Sequence, residues 1–154
     1  MRNLLLAGLF LAAPAFAAAQ TTPAEDTAAA PLVAACGDVS PEDDEAAIAA
    51  KLACFTAEAA KAANAELPRK VDEVLTLERV SAEGTRITYH YTLAILAADI
   101  PAGALDTMKA SVVDSVCKAE PMRAAMAAGG SYRYLWADQA GAPVSELVMT
   151  ACES

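Results

Sequence analysis

VDEVLTLERVSAEGTRITYHYTLAI, residues 71–95, sets the fold class of this chain. Leu75 and Leu77, then Ile87, Tyr89, Tyr91 and Leu93, alternate with Thr76, Glu78, Thr88, His90 and Thr92. That period of two is the mark of strands with one buried face. Ala82-Glu83-Gly84-Thr85 supplies a turn between them, so the stretch predicts a β-hairpin with one core face.

A second hairpin is predicted at GGSYRYLWADQAG, residues 129–141. Tyr132, Tyr134 and Trp136 point one way and Arg133, Leu135 and Ala137 the other; Asp138 to Ala142 turns the chain, and Val144 to Ala151 returns. Helices are predicted before and between the hairpins. In SPEDDEAAIAAKLACFTAEAAKAANAELP, residues 40–68, Ser40 is a good N-cap, Pro41 suits the first helical position and the following acids complement the helix dipole. Ile48, Leu52, Phe55, Ala59 and Ala62 form its apolar stripe, and Asn64 and Pro68 end it. Asp99 and Pro101 open a further helix in which Leu105, Met108, Val112 and Val116 share a face. Glu120-Pro121 breaks it, and a shorter helix over 122–128 ends at Gly129-Gly130. The order is a long N-terminal helix, a hairpin, a helix pair and a hairpin. This implies an α+β domain with a four-stranded antiparallel sheet covered on one face.

The N-terminus points to export. Arg2 and Asn3, an apolar run from Leu4 to Leu11 and small residues at Ala15, Ala17 and Ala19 read as a secretory signal peptide over 1–19. Residues 20–35 are Ala, Thr and Pro with two acids, which predicts a disordered lead-in. Residues 36–154 then form one disulfide-bonded domain. No later run is long enough to span a bilayer, and residues 18–22 offer no cysteine for a lipid anchor, so a soluble periplasmic or secreted protein without a stable membrane anchor is expected. The net charge of −9 is a poor footprint for nucleic acid or an anionic membrane.

Four cysteines, Cys36, Cys54, Cys117 and Cys152, read in an exported chain as two disulfides with three possible pairings. Cys54 sits off the apolar stripe of its helix, on a flank the preceding segment can reach, which favours a bridge to Cys36. A bridge between Cys117, ending a helix, and Cys152, ending the last strand, would tie helix to sheet. No C-x-x-C supports redox or zinc chemistry.

Nothing in the sequence assembles a catalytic centre. His90 is the single histidine, on the polar side of its strand, and no G-x-S-x-G accompanies it. Glu42, Asp43, Asp44 and Glu45 are consecutive on a helix and lack the glycine-containing calcium loop, so dipole complementarity explains them better than an ion does. No cofactor or metal is expected. Tyr89, Tyr91, Tyr132, Tyr134 and Trp136 form one aromatic surface with two readings: core beneath the helices, or a groove for a peptide or apolar ligand.

From Leu67 to Cys152 the order of LP, VDEVLTLERV, G and ITYHYTL, followed by SVCKAEPMRAAMAAGGSYRYLWADQAGAPVSELVMTAC, resembles a loosely related set of small exported bacterial proteins. Among them, the C-terminal part is similar to the beta-type pilotins of type II secretion. The resemblance implies an α+β domain, a helix-to-strand disulfide between Cys117 and Cys152 and a non-enzymatic role. Pilotins bind a segment of a secretin subunit and carry a lipid anchor; this chain departs from them in having no lipidation cysteine and in having the extra pair Cys36 and Cys54. The expected function is therefore an accessory or chaperone-like interaction module whose partner is an envelope protein or peptide. The alternative is a periplasmic carrier of a small apolar ligand.

Overall fold

The computed structural model describes residues 32–152; the expected signal peptide and the lead-in up to residue 31 lie outside the described residues. Residues 32–36, at the end of the segment read as a lead-in, are helical, and Gly37 N donates to Val33 O (2.8 Å). The bridge from Cys36 to Cys54 anchors this segment to the long helix α1 (Glu45–Asn64). Five strands follow in sheet order: β1 (Arg69–Lys70), β2 (Leu75–Glu83), β3 (Arg86–Leu93), β4 (Ser131–Ala137) and β5 (Pro143–Met149). Helices α2 (Ala104–Lys118) and α3 (Glu120–Ala127) lie between β3 and β4.

The α+β class holds, with two corrections to the sheet. A fifth strand, β1, pairs Arg69 with Leu77 and Lys70 with Thr76; two residues are too short to show a period. The sheet is also mixed, because β3 and β4 run parallel, with Tyr89 opposite Tyr134 and Tyr91 opposite Trp136. The two hairpins are antiparallel within themselves. They join in parallel because the helix pair carries the chain back across the sheet before β4 starts, as a parallel neighbour requires.

Local chemistry moves the helix starts. Asp44, not Ser40, caps α1, its carboxylate accepting from Ala47 N (2.8 Å). Ser40 instead stabilises a preceding turn: its Oγ accepts from Glu42 N, and its own N donates to Asp43 (2.7 Å). Lys51 Nζ, bonded to Asp43 and to Asp38 O (2.7 Å), holds that turn against the helix. The buried stripe of α1 runs through Leu52, Thr56 and Ala60, about one residue on from the expected one. Thr56 can be buried because its Oγ1 reaches Gly84 O (2.6 Å) and Ala53 O (2.9 Å). The second helix starts at Ala104 rather than near Asp99, since Ala97–Asp99 is a separate single turn and Gly103, at φ +77°, is the N-cap. At the α3–β4 junction Gly130 N donates to Ala125 O (2.8 Å), and a Cβ on Gly130 would lie 2.7 Å from that oxygen.

Helices α1, α2 and α3 cover one sheet face, over two adjoining cores. In one, Ala60 of α1 packs with Leu77, Val80 and Ile87; in the other, Val116 of α2 and Met126 of α3 pack with Tyr134, Trp136 and Met149. Tyr89, Tyr91 and Tyr132 touch both. The second disulfide joins Cys117 on α2 to Cys152 beyond β5. The opposite sheet face carries Ser81, Thr88, His90, Arg133 and Glu146, the last two paired at 2.8 Å.

Candidate functional site

The parallel β3–β4 joint arranges the aromatic residues as a ladder. Tyr89 stacks on Tyr134 (centroids 5.0 Å apart), Tyr91 on Trp136 (6.1 Å), and Tyr134 on Trp136 along the strand (6.1 Å). Trp136 is 1% exposed and Tyr134 is 5% exposed, so these two rings are core. Tyr89, Tyr91 and Tyr132 are half-buried where the two cores meet. Burial, with neighbouring tyrosines adding to it, pushes the Tyr89 hydroxyl up to about 12. Tyr91, Tyr132 and Tyr134 are raised mainly by burial. The rings stay neutral at any physiological pH and offer an uncharged, aromatic floor.

One end of this ladder is open. Between α2 and the loop joining β1 to β2 runs a groove of about 740 Å³, with Tyr91, Trp136, Leu75 and Leu93 beneath it. Leu105, Met108 and Val112 form one wall, and Val71 and Val74 form the opposite lip. Its polar side chains are confined to Asp72, Thr107, Ser111 and the Tyr91 hydroxyl. Asp72 is already used: its carboxylate accepts from Val74 N and Leu75 N (2.8 Å each), which sets the lip. Val71 and Val74 are 54% and 47% exposed, so the lip presents two large apolar side chains to solvent. The buried Asp138 ties the turn after β4 to the segment after β3, accepting from Ala97 N, Ala140 N and Ala142 N at 2.9–3.1 Å. These backbone donors, Ala142 N first, hold its carboxyl below the usual range.

Of the five aromatic residues singled out in the sequence, the structure thus places Tyr91 and Trp136 under a groove and Tyr134 in the core, with Tyr89 and Tyr132 at the seam. Sequence reading passed over Val71, Val74 and Leu105 as groove residues. A signal existed in the first two, valines flanking an aspartate just ahead of a strand and outside its alternation.

The chemistry elsewhere is sparse. Ser81 Oγ lies 2.9 Å from His90 Nε2 on the uncovered sheet face, a contact that the hairpin register creates by placing Arg79 opposite His90. Burial, then the charges of Arg79 and Arg133, holds the imidazole below its usual range. Among the described residues, His90 has no other side-chain hydrogen bond to orient the ring, and a serine–histidine pair acts as a nucleophile only with such an orienter and an oxyanion site. Asp43 is held by Lys51, and Asp44 is a cap, so the acidic run has structural work. Among the described residues no group of three or more His, Cys, Asp or Glu side chains is placed to hold a metal ion, and no helix is long and apolar enough to cross a membrane.

Three solved structures share this fold. The type II secretion pilotin EpsS of Vibrio vulnificus superposes with a TM-score of 0.61 at 17% identity, over 70% of this chain and 96% of its own. The pilotin AspS of Vibrio cholerae does so at 0.54 and 20%, over 68% and 93%. A Pseudomonas aeruginosa protein described as secreted gives 0.58 and 19%, over 73% and 95%. No protein-family model matches the chain, and no curated protein matches it. At these identities the likeness is one of fold, and the pilotin-like resemblance read from Leu67 to Cys152 stands at that level.

Proposed function

We propose that the chain is a non-enzymatic protein-interaction module, accessory or chaperone-like, that is exported to the periplasm or secreted and holds a short apolar segment of an envelope protein in the groove beside α2. In this reading residues 1–19 are removed on export, the following residues tether, and the disulfide-bonded domain binds. The observation that carries it is the groove itself: about 740 Å³, almost wholly apolar, with Val71 and Val74 exposed at its lip. Exposed apolar surface in a concave site marks an interaction surface, and an amphipathic segment laid into such a groove is a recurring mode of recognition. Two proteins with this fold are type II secretion pilotins, which makes a secretin segment the kind of partner the resemblance favours.

A photo-crosslinking residue placed at Val74, or at Arg86 on the uncovered face, tests this in the native cell envelope. The expected result is one envelope protein captured from position 74, not from 86, and lost when Leu105→Glu puts a charge in the groove wall. Equal capture from both positions, or capture that survives Leu105→Glu, would overturn the proposal. The groove's volume also lies within the roughly 300–1,000 Å³ typical of small-ligand pockets, which supports the second reading, an apolar-ligand carrier. Native mass spectrometry of the gently purified protein separates the two: a carrier shows a bound small mass that Leu105→Glu removes.

A further inference from the structure

The sheet ends unequally. At one edge β1 has two residues; at the other β5 has seven, and among the described residues one row of its backbone N–H and C=O groups has no neighbouring strand. Such an edge is a template for another strand unless something guards it. The guards on β5 are concentrated in its first half: Pro143 at the first position and a register shift that leaves Val144 out of the pairing with β4. From Ser145 to Met149 the pairing is regular, and Val148 is 48% exposed.

A trough follows this edge, with α2 as its other wall. Asp106 and Lys109 stand beside Val144 and Ser145 in one stretch of about 570 Å³, and Ala110, Val113 and Asp114 stand beside Leu147 and Val148 in the next, of about 720 Å³. Rising numbers on α2 accompany rising numbers on β5, so the two run in the same direction. Val113 is 38% exposed on the α2 wall, and Val148, on the same sheet face as Glu146, is exposed on the other side of the strand.

The α2 wall is complementary to itself when reversed. A two-fold axis passing between Ser111 and Val112 sets Lys109 opposite Asp114 of a second copy and Ala110 opposite its Val113, with Asp106 close to Lys118. Asp114 uses Oδ2 for Lys118 of its own helix (2.7 Å), leaving Oδ1 for the incoming Lys109. On β5 the matching axis passes through Leu147, level with that part of α2 across the trough. It places Glu146 opposite Val148 and Ser145 opposite Met149, with no like charges facing. One rotation therefore satisfies both the strand edge and the helix wall, the requirement for an isologous contact.

We propose that β5 is a self-association edge: two copies pair β5 with β5 antiparallel about a two-fold axis, continuing one sheet into the other, while α2 packs on α2 of the second copy. The charge pattern selects a second copy over an unrelated extended peptide. Such a peptide would use the same free backbone groups but has no reason to match Lys109, Ala110, Val113 and Asp114 in reverse.

Sedimentation velocity over a dilution series of the oxidised, exported protein tests the proposal. The expected result is a monomer–dimer equilibrium weakened about tenfold or more by Val148→Glu, which faces Glu146 of the second copy, and by Asp114→Lys, which faces its Lys109, since a like charge across a contact is costly. Lys109→Asp combined with Asp114→Lys restores the opposite charges and the dimer. All of these positions are on the surface, and unchanged thermal unfolding checks that the variants fold. A monomer at every concentration, a dimer indifferent to Asp114→Lys, or a double variant that fails to recover would overturn it. Val74→Glu, which disables the groove, leaves the dimer intact, so this proposal fails or stands apart from the groove reading.

Discussion

The two halves of the core lie on one sheet face yet are held by different means. Under α1 the contacts are small, Ala59, Ala60 and Ala63 against Leu77, Val80 and Ile87, so helix and sheet approach closely. Polar bonds then fix the position. Asn64 donates to Val80 O (2.7 Å) and accepts from Val80 N (2.9 Å), standing in for a strand neighbour beyond the two-residue β1. Under α2 and α3 the contacts are large, Trp136, Tyr134, Met126 and Met149, and a disulfide rather than a polar clamp ties helix to sheet. Bulky side chains hold α2 further off, and open space remains on both of its flanks, the groove on one and the trough on the other. The difference teaches that the tightly clamped half is scaffold and the loosely seated helix is where this molecule has surface to offer.

The sharpest way to break that contrast is Trp136→Ala. Loss of the most buried ring in the aromatic half should destabilise the protein by about 3–5 kcal/mol in urea unfolding. A cost below about 1 kcal/mol would mean that the large residues do not carry that half. Next, replacing Cys117 and Cys152 together by Ala, which opens a separation of 35 residues, should cost about 4 kcal/mol on the chain-entropy model. The same change at Cys36 and Cys54, separated by 18, should cost about 3 kcal/mol. Reversal of that order would show that the first bridge, and not the second, limits stability.

Asn64→Ala sharpens the other side of the comparison. It removes both bonds to Val80 and should cost about 1–2 kcal/mol, while amide exchange at Val80 quickens. A change confined to α2 amides would contradict the clamp. The finest effect is a pH dependence at Asp138, whose carboxyl is held below its ordinary value of 3.8. A depressed folded-state pKa contributes stability that is present above the ordinary value and lost as pH falls through the folded one. Asp138→Asn should therefore flatten the decline in stability below pH 3.8, measured by urea unfolding at a series of pH values. An unchanged slope would remove Asp138 from the acid response.

The parts legible in the sequence are those with a repeating local cause. Alternation from Leu75 to Leu93 marked the first hairpin, and the row from Tyr132 to Trp136 marked β4, because side chains on a half-buried strand alternate whatever its neighbour does. The parallel meeting of β3 and β4 was not legible, since it depends on where the helix pair returns the chain and no residue in either strand records that. The cap of α1 was misplaced for a competitive reason: Ser40 and Asp44 are both capable N-caps, and the Asp43–Lys51 pair decides for Asp44. The lip of the groove escaped notice because single exposed valines are common, and only the fold brings Val71 and Val74 opposite α2.

The cysteines pair first with second and third with fourth, so the two covalent loops neither overlap nor nest. For a chain that enters an oxidising compartment from its N-terminus, this makes the order of arrival sufficient. Cys36 and Cys54 can be joined before Cys117 has emerged, and when Cys117 arrives its only unpaired partner still to come is Cys152. In such a chain an oxidant acting on each cysteine in turn produces the native bridges directly, with nothing left to reshuffle.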